Sequence, residues 1–253
     1  MHLRPFLWTI SGVTFAMLVN ATAKHWAALK ATDSPATFLV GLILPLSYTL
    51  PLTLPLAILA ATLTAPMRLA TLSFDGSPLP VSRVARPVLA WATVLAFLSL
   101  GWQAAILPRT NRLLRGVYAT GSLRSALPPP GDREMSLTEL QVAASRARAS
   151  AATAKGEQRS AFLRKADAFQ VEFHKKFAIA AGCALLAAFG LVVGRLTGGG
   201  YVLAVGGTTF AFMVYYVGLI AGEGLGNQGI IHPAVAMWSS DLLALLALSL
   251  IHI

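Results

Sequence analysis

Residues 177–194 read Phe-Ala-Ile-Ala-Ala-Gly-Cys-Ala-Leu-Leu-Ala-Ala-Phe-Gly-Leu-Val-Val-Gly, without a single charge. An α-helix rises ~1.5 Å per residue, so ~20 apolar residues cross the ~30 Å of hydrocarbon in a bilayer. Lys175 and Lys176 stand before this stretch and Arg195 just after it, as at the two surfaces of a membrane span. The same reading extends outward. Phe6–Ala23, Ala36–Met67, Pro87–Pro108, Tyr201–Ala221 and Pro233–Ile253 meet or approach the length and apolarity a span needs. Of all residues, 56% are hydrophobic and 12% charged, which leaves no soluble core of ordinary composition and excludes a water-soluble globular fold. The expected fold is an all-α integral membrane protein, with six transmembrane helices arranged 3+3 around a mainly helical extramembrane insert. Residues 1–108 hold spans one to three, 109–176 the insert and 177–253 spans four to six.

Thirteen of the 20 Lys and Arg lie between Arg109 and Lys176, and the net charge is +10. On a membrane protein without aromatic base-stacking motifs, this charge points to anionic lipid head groups and away from nucleic acid. The single cysteine, Cys183, falls inside the fourth span, where it reads as a small buried apolar residue. Arg4 precedes the first apolar run as in a signal peptide. With no small-x-small cleavage site before a soluble chain, that run reads as a retained span. Phosphate-binding-loop, H-E-x-x-H and G-x-S-x-G patterns are absent, and the five histidines are scattered without metal-ligand spacing. The sequence therefore reads as a non-enzyme without metal or cofactor. Any energised work would draw on another subunit.

The second apolar run is longer than a bilayer needs and contains Pro45, Pro51 and Pro55. Each proline removes an amide donor and crowds the preceding turn, so a kinked or broken helix is expected. A bent packing helix is the ordinary reading; the wall of a lateral cavity or gate is the functional one. Arg68–Arg86 reads as a short polar loop carrying Asp75, Gly76, Pro78 and Pro80. The insert opens with a turn-rich linker around Gly121 and Pro128–Gly131, and Ser136-Leu-Thr-Glu139 is a capping box that starts a helix at Ser136. That Ala- and Arg-rich helix is expected to break near Gly156. Beyond it, Phe162, Ala166, Phe169, Phe173 and Phe177 share one helical face, with Lys165, Glu172 and Lys176 on others. Such a stripe packs against protein or rests at the membrane interface; lipid recognition is the functional alternative. Gly198–Gly200 marks a turn. Gly218, Gly222 and Gly226 repeat at the four-residue spacing of close-packed membrane helices.

Asp241 is the one acid deep in a span, which makes it a functional candidate by default. Trp238, Ser239 and Ser240 beside it suggest an interfacial depth, where a hydrated or hydrogen-bonded carboxylate costs little. Glu172 and His174 share no helix face and do not form a catalytic pair. For orientation, a cytoplasmic N-terminus places Arg4, Arg68, Arg83, Arg86 and Arg195 inside, as the positive-inside rule asks. It also places the basic 109–176 segment outside, so charge alone leaves the orientation open.

The last third of the chain carries a resemblance. Glu172-Phe-His-Lys-Lys-Phe-Ala178, Gly190, Arg195 before a glycine turn, Tyr215-Tyr216, Gly222, Gly229, Pro233 and Trp238 follow one another in an order that resembles the LptF/LptG lipopolysaccharide export permeases. Pro51-Leu-Thr-Leu-Pro55-Leu-Ala57, Arg68-Leu69, Arg86-Pro87-Val88, Pro108-Arg-Thr-Asn111 and Glu134-Met-Ser-Leu-Thr-Glu-Leu140 agree more loosely. The resemblance implies a multi-pass protein of the cell inner membrane with both termini cytoplasmic and the insert periplasmic. It implies as partners a cytoplasmic ABC-type ATPase dimer and a second permease subunit, identical or homologous, enclosing a cavity for lipopolysaccharide. The sequence departs from the family twice. The linker leaves no room for the periplasmic β-jellyroll, and Pro78 and Pro80 disfavour an acidic coupling helix in the loop that holds Asp75.

The leading expectation is thus a permease subunit that binds lipopolysaccharide or a related lipid and gates its extraction while a separate subunit hydrolyses ATP. The alternative is a permease-like structural or regulatory subunit without transport. Lipid-binding candidates are Lys24 and Lys30, whose plain role is interfacial anchoring, and Arg109, Arg112 and Arg115, spaced by three so that they share a helical face. Candidates for the ATPase-coupling loop are Arg68, Asp75, Arg83 and Arg86. Pro45, Pro51 and Pro55 are candidates for the kink or gate.

Overall fold

The computed structural model describes residues 3–30, 35, 38–39, 49–50, 53–62, 81–119, 131–196 and 201–252. Among these, every regular element is helical. Helix α1 runs Leu3–Lys30, and α2 is the apolar helix Thr53–Thr62. Helix α3 covers Val81–Gly101 and continues through a π-helical turn, Trp102–Ile106, into α4, Leu107–Ala119. A 3₁₀ turn at Asp132–Glu134 leads to α5, Leu137–Thr153. Then come α6, Gly156–Leu196, α7, Tyr201–Asn227, and α8, Pro233–His252.

Among the described residues, four stretches are long and apolar enough to cross a membrane: Ala85–Leu113, Gly156–Gly194, Thr209–Asn227 and Pro233–Leu250. Leu7–Asn20 and Thr53–Thr62 are shorter apolar helices within the described residues. Large apolar side chains face outward, among them Phe97 on α3, Phe210 and Val217 on α7, and Leu243, Leu246 and Leu250 on α8. Exposure on this scale is ruinous in water and ordinary in hydrocarbon.

Helix α6 is the central pillar. On one side Val171, Ala178, Ile179 and Leu186 join Tyr215 and Leu219 of α7, Met237 of α8 and Leu59 of α2 in one core. On another side Cys183 and Ala187 meet Ile58 of α2 and Ala92 of α3. Cys183 is fully buried, as its apolar setting predicts. The contacts are close because small residues line them. At Gly190 a Cβ would strike Thr62 Oγ1 and lie 3.0 Å from the Leu59 carbonyl. The Gly218, Gly222 and Gly226 stripe does pack: these glycines face Ser240, the Ala236 carbonyl, and Val171 with Ala236 respectively. Thr14 of α1 and Thr53 of α2 share a buried hydrogen bond of 3.0 Å.

The element boundaries have local causes. Pro108 has no amide to give the Ala104 carbonyl and its ring would crowd that group. The preceding turn widens, and the Leu107 amide reaches back five residues to Trp102. Gly156, at φ +57°, breaks α5 from α6 at the glycine where the sequence places the interruption. Helix α7 ends in a Schellman motif: Gly229 adopts φ +71°, its amide donates to Gly226 O and the Ile230 amide to Leu225 O. His232 then caps α8, accepting the Ala234 amide at Nδ1 (3.3 Å), with Pro233 at the first helical position.

Of the two forms expected for Asp241, the hydrogen-bonded one is found: it is 4% exposed and meets Tyr215 inside the bundle, because α8 buries its Ala236, Met237, Ser240 and Asp241 face. One expectation changes. The segment before the third span is helical from Val81, so Arg83 and Arg86 ride on α3 and not on a loop. The β-domain has no place. Only residues 120–130 separate α4 from Gly131, far too few for a jellyroll, and no strand occurs among the described residues.

Candidate functional site

Helices α5 and α6 fold back on each other as a hairpin. Leu140, Ala144, Ala147 and Ala151 of α5 recur at three- and four-residue steps and are buried, with Ala166 of α6 fully buried too. Small side chains on both helices let the axes approach. The predicted capping box starts α5. Ser136 Oγ accepts the Glu139 amide at 3.3 Å, and Glu139 Oε2 accepts the Ser136 amide at 2.7 Å. The bonds from the Ser136 backbone and hydroxyl, with Arg112 nearby, hold the Glu139 carboxyl below its ordinary range. A group whose folded value is depressed stabilises above its unfolded value, ~4.3 for Glu, and loses that contribution as pH falls through the folded value. Ser136→Ala is therefore expected to cost about 1 kcal/mol and to flatten the acid side of a thermal-unfolding profile followed by circular dichroism. An unchanged acid limb would show that the cap carries no proton-linked stability.

At the foot of the hairpin, four charged side chains close a ring. Arg133, in the 3₁₀ turn, gives Nη2 to Glu223 Oε1 of α7 at 2.8 Å and Nε to Glu172 Oε1 of α6 at 3.3 Å. Lys175 Nζ bonds both acids from the other side, Glu223 Oε2 at 2.7 Å and Glu172 Oε1 at 3.1 Å. The acids and Lys175 are largely buried, with side-chain exposures of 8% for Glu172, 18% for Glu223 and 12% for Lys175, whereas Arg133 is 69% exposed. Two cations and two anions cancel. The ring ties the 3₁₀ turn before the hairpin to the two long apolar helices α6 and α7. It also explains why Glu172 is buried: three elements converge on it.

Lys176 points the other way. It is 3% exposed and donates to the Gln103 carbonyl in the π-helical turn at 3.1 Å, while Gln103 Nε2 reaches Ser99 Oγ at 3.3 Å. The irregular turn and the buried ammonium belong together, since a widened turn presents a carbonyl that a regular helix would occupy. Arg112 links α4 to the cap, 3.5 Å from Glu139 Oε1, and also bonds the Pro108 carbonyl.

The sequence-predicted residues are only partly gathered. Arg109 and Arg112 are exposed on α4, and Arg115 lies on the same helix, so the three-residue spacing is realised in helical backbone. Lys24 and Lys30 lie on α1; their side chains, with those of Arg83 and Arg115, lie outside the described residues. Arg86 is exposed on α3, and Pro55 is buried in α2. Pro45, Pro51, Arg68 and Asp75 lie outside the described residues. Phe173 and Phe177 of the aromatic stripe pack with ring centroids 5.2 Å apart, tilted by 51°. The ion ring went unrecognised in the sequence, because Arg133 and Glu223 are 90 positions apart. Its one local trace is Glu172 followed by Lys175 at a helical i,i+3 step. Among the described residues no cluster of three His, Cys, Asp or Glu could hold a metal.

Residues 120–252, more than half of the chain, match the family model for the lipopolysaccharide export system permease LptF/LptG. The matched region contains the hairpin, the ion ring and the last three apolar helices. No curated protein and no solved structure gives a match.

Proposed function

The chain belongs to the LptF/LptG family of lipopolysaccharide export permeases, and from that premise we propose that it is the permease subunit of an ABC-type exporter of the inner membrane. In this reading it binds lipopolysaccharide or a related lipid and gates its extraction, with ATP hydrolysed by a separate cytoplasmic ATPase dimer. A second permease, identical or homologous, completes the cavity. The observation that carries the proposal is the match over residues 120–252, the region where a rigid hairpin is locked onto the spans by the ring of Arg133, Glu172, Lys175 and Glu223.

Six spans in a 3+3 arrangement complete the proposed architecture, with residues 1–108 and 177–253 as the two halves, 109–176 as a periplasmic insert and both termini cytoplasmic. Arg109, Arg112 and Arg115, with Lys24 and Lys30, present cations to lipid phosphates at the outer surface. Arg133 joins them, being mostly exposed at the same end of the bundle as α4. Arg68, Asp75, Arg83 and Arg86 form the face toward the ATPase. Pro45, Pro51 and Pro55 soften the second span so that the cavity opens sideways.

One observation favours a second reading. Residues 120–130 leave no room for a β-domain to hand lipid onward, as in a permease-like structural or regulatory subunit that does not transport. Affinity purification from the native membrane in mild detergent, with mass spectrometry of bound proteins and lipids, separates the two. An ATPase, a second permease and a lipid A-containing lipid are expected with the chain. Recovery alone, or with bulk phospholipid only, would leave the non-transporting subunit as the better account.

A further inference from the structure

Away from the ion ring, a carboxylic acid is built into the middle of the bundle. Asp241 lies eight residues into α8, about 12 Å along its axis, which is close to the centre of ~30 Å of hydrocarbon. It is 4% exposed. Tyr215 of α7, 8% exposed, places its hydroxyl oxygen 3.2 Å from Asp241 Oδ1 and 3.3 Å from the Ala178 carbonyl of α6. Gly182 of α6 makes the space for that phenol, since a Cβ there would collide with the hydroxyl. Asp241 Oδ2 and the neighbouring Ser240 Oγ are buried with no hydrogen-bond partner among the described residues.

Counting hydrogens gives the protonation state. The phenol has one hydrogen and two oxygens within reach. If Asp241 is ionised, that hydrogen must be shared, and a buried carboxylate is left with at most one donor. No described Lys, Arg or His pairs with Asp241: from α7 it meets Tyr215, and from α6 the neighbouring titratable group is Cys183. An uncompensated buried carboxylate costs several kcal/mol. If Asp241 carries a proton on Oδ1, it donates to Tyr215, Tyr215 donates to Ala178, and both short contacts are hydrogen bonds at once. What remains is a neutral carbonyl oxygen at Oδ2, a far cheaper orphan.

We propose that Asp241 and Tyr215 form a proton-binding site in the middle of the membrane, occupied when α8 is docked on α6 and α7. The site takes one proton from water onto the carboxylate, and no other covalent bond changes. Release of that proton puts a bare charge at the seam between α7 and α8 and loosens α8, so proton occupancy sets how tightly the bundle is closed. The site does not depend on which lipid the protein carries.

The test uses the full chain in lipid nanodiscs. Infrared spectroscopy at neutral pH, where a carboxyl in water (~3.9 for Asp) is ionised, is expected to show a protonated-carboxyl stretch. Asp241→Asn removes this band and Tyr215→Phe shifts it. Because the folded chain holds a proton that the unfolded chain releases, wild-type stability falls as pH rises toward the site's own titration. Asparagine mimics the neutral acid without drawing a proton from water, so Asp241→Asn is expected to unfold no lower than wild type at neutral pH and to lose that pH-dependent decline. If the asparagine variant fails to fold, the Tyr215→Phe shift and the wild-type pH titration of the band still decide. The absence of a protonated-carboxyl band at neutral pH overturns the proposal, as does a band that survives D241N, is unmoved by Y215F, or depends on sodium and not on pH.

Discussion

Gly222→Ala is expected to cost about 3 kcal/mol of stability, while Gly224→Ala, two residues away on the same helix, costs nothing. The added methyl at 222 meets the Ala236 carbonyl oxygen on α8 at a separation no real Cβ adopts, and the Ala236 carbonyl carbon lies 3.1 Å away. Both are backbone atoms, so no side chain can swing aside, and the two helices must move apart. Separation would disturb Gly218 against Ser240 and Gly226 against Ala236, because one seam holds all three glycines. In a bilayer the apolar faces gain nothing from leaving lipid, so close packing is what holds α7 to α8. Gly224 faces open space, where alanine removes unfolded-chain freedom and gains up to ~1 kcal/mol. Denaturant unfolding of the purified chain in bicelles measures both. Equal stability of the two variants would mean that the seam is not closely packed.

Glu223→Gln is expected to cost about 3 kcal/mol, although it changes two atoms' chemistry and almost no volume. Glu223 accepts from Arg133 on one oxygen and Lys175 on the other. An amide has a single acceptor oxygen and presents a donor where the second cation stands. Lys175, 12% exposed, then sits beside one acid instead of two, and the ring carries a net positive charge in a largely dry place. Lys175→Met together with Glu223→Gln restores the balance, so the double variant should recover ~2 kcal/mol relative to the sum of the single losses. Arg112→Ala provides the contrast. Its partner pair with Glu139 is exposed on both sides, and such pairs contribute under ~1 kcal/mol. Additive losses at Glu223 and Lys175 would reduce the ring to four independent surface charges.

What the sequence revealed depends on distance along the chain. The four helices long and apolar enough to cross a membrane were legible because each is a continuous apolar run, and the capping box at Ser136 because its donors lie three residues apart. The break at Gly156 and the glycine seam at 218, 222 and 226 were legible for the same local reason. Between a hydrated and a hydrogen-bonded Asp241 the sequence could not choose, because Trp238 and the two serines describe composition, while burial is decided by which face α8 turns to α6 and α7. The ion ring joins residues 133, 172, 175 and 223, and only the fold brings them together. Lys176 looked like an ordinary flanking cation until the π-helical turn before Pro108 supplied its carbonyl acceptor. The start of α3 at Val81 was hidden by charge: Arg83 and Arg86 read as loop, yet arginine is a good helix former.

ATP-dependent lipid extraction tests the central claim most directly. The chain would be reconstituted with its co-purified ATPase and permease into liposomes containing lipopolysaccharide, with a photo-crosslinking residue replacing Arg109. A lipopolysaccharide crosslink that rises several-fold on adding ATP, and not with a non-hydrolysable analogue, is the predicted result. A crosslink indifferent to nucleotide, or formed equally with bulk phospholipid, would contradict a working permease.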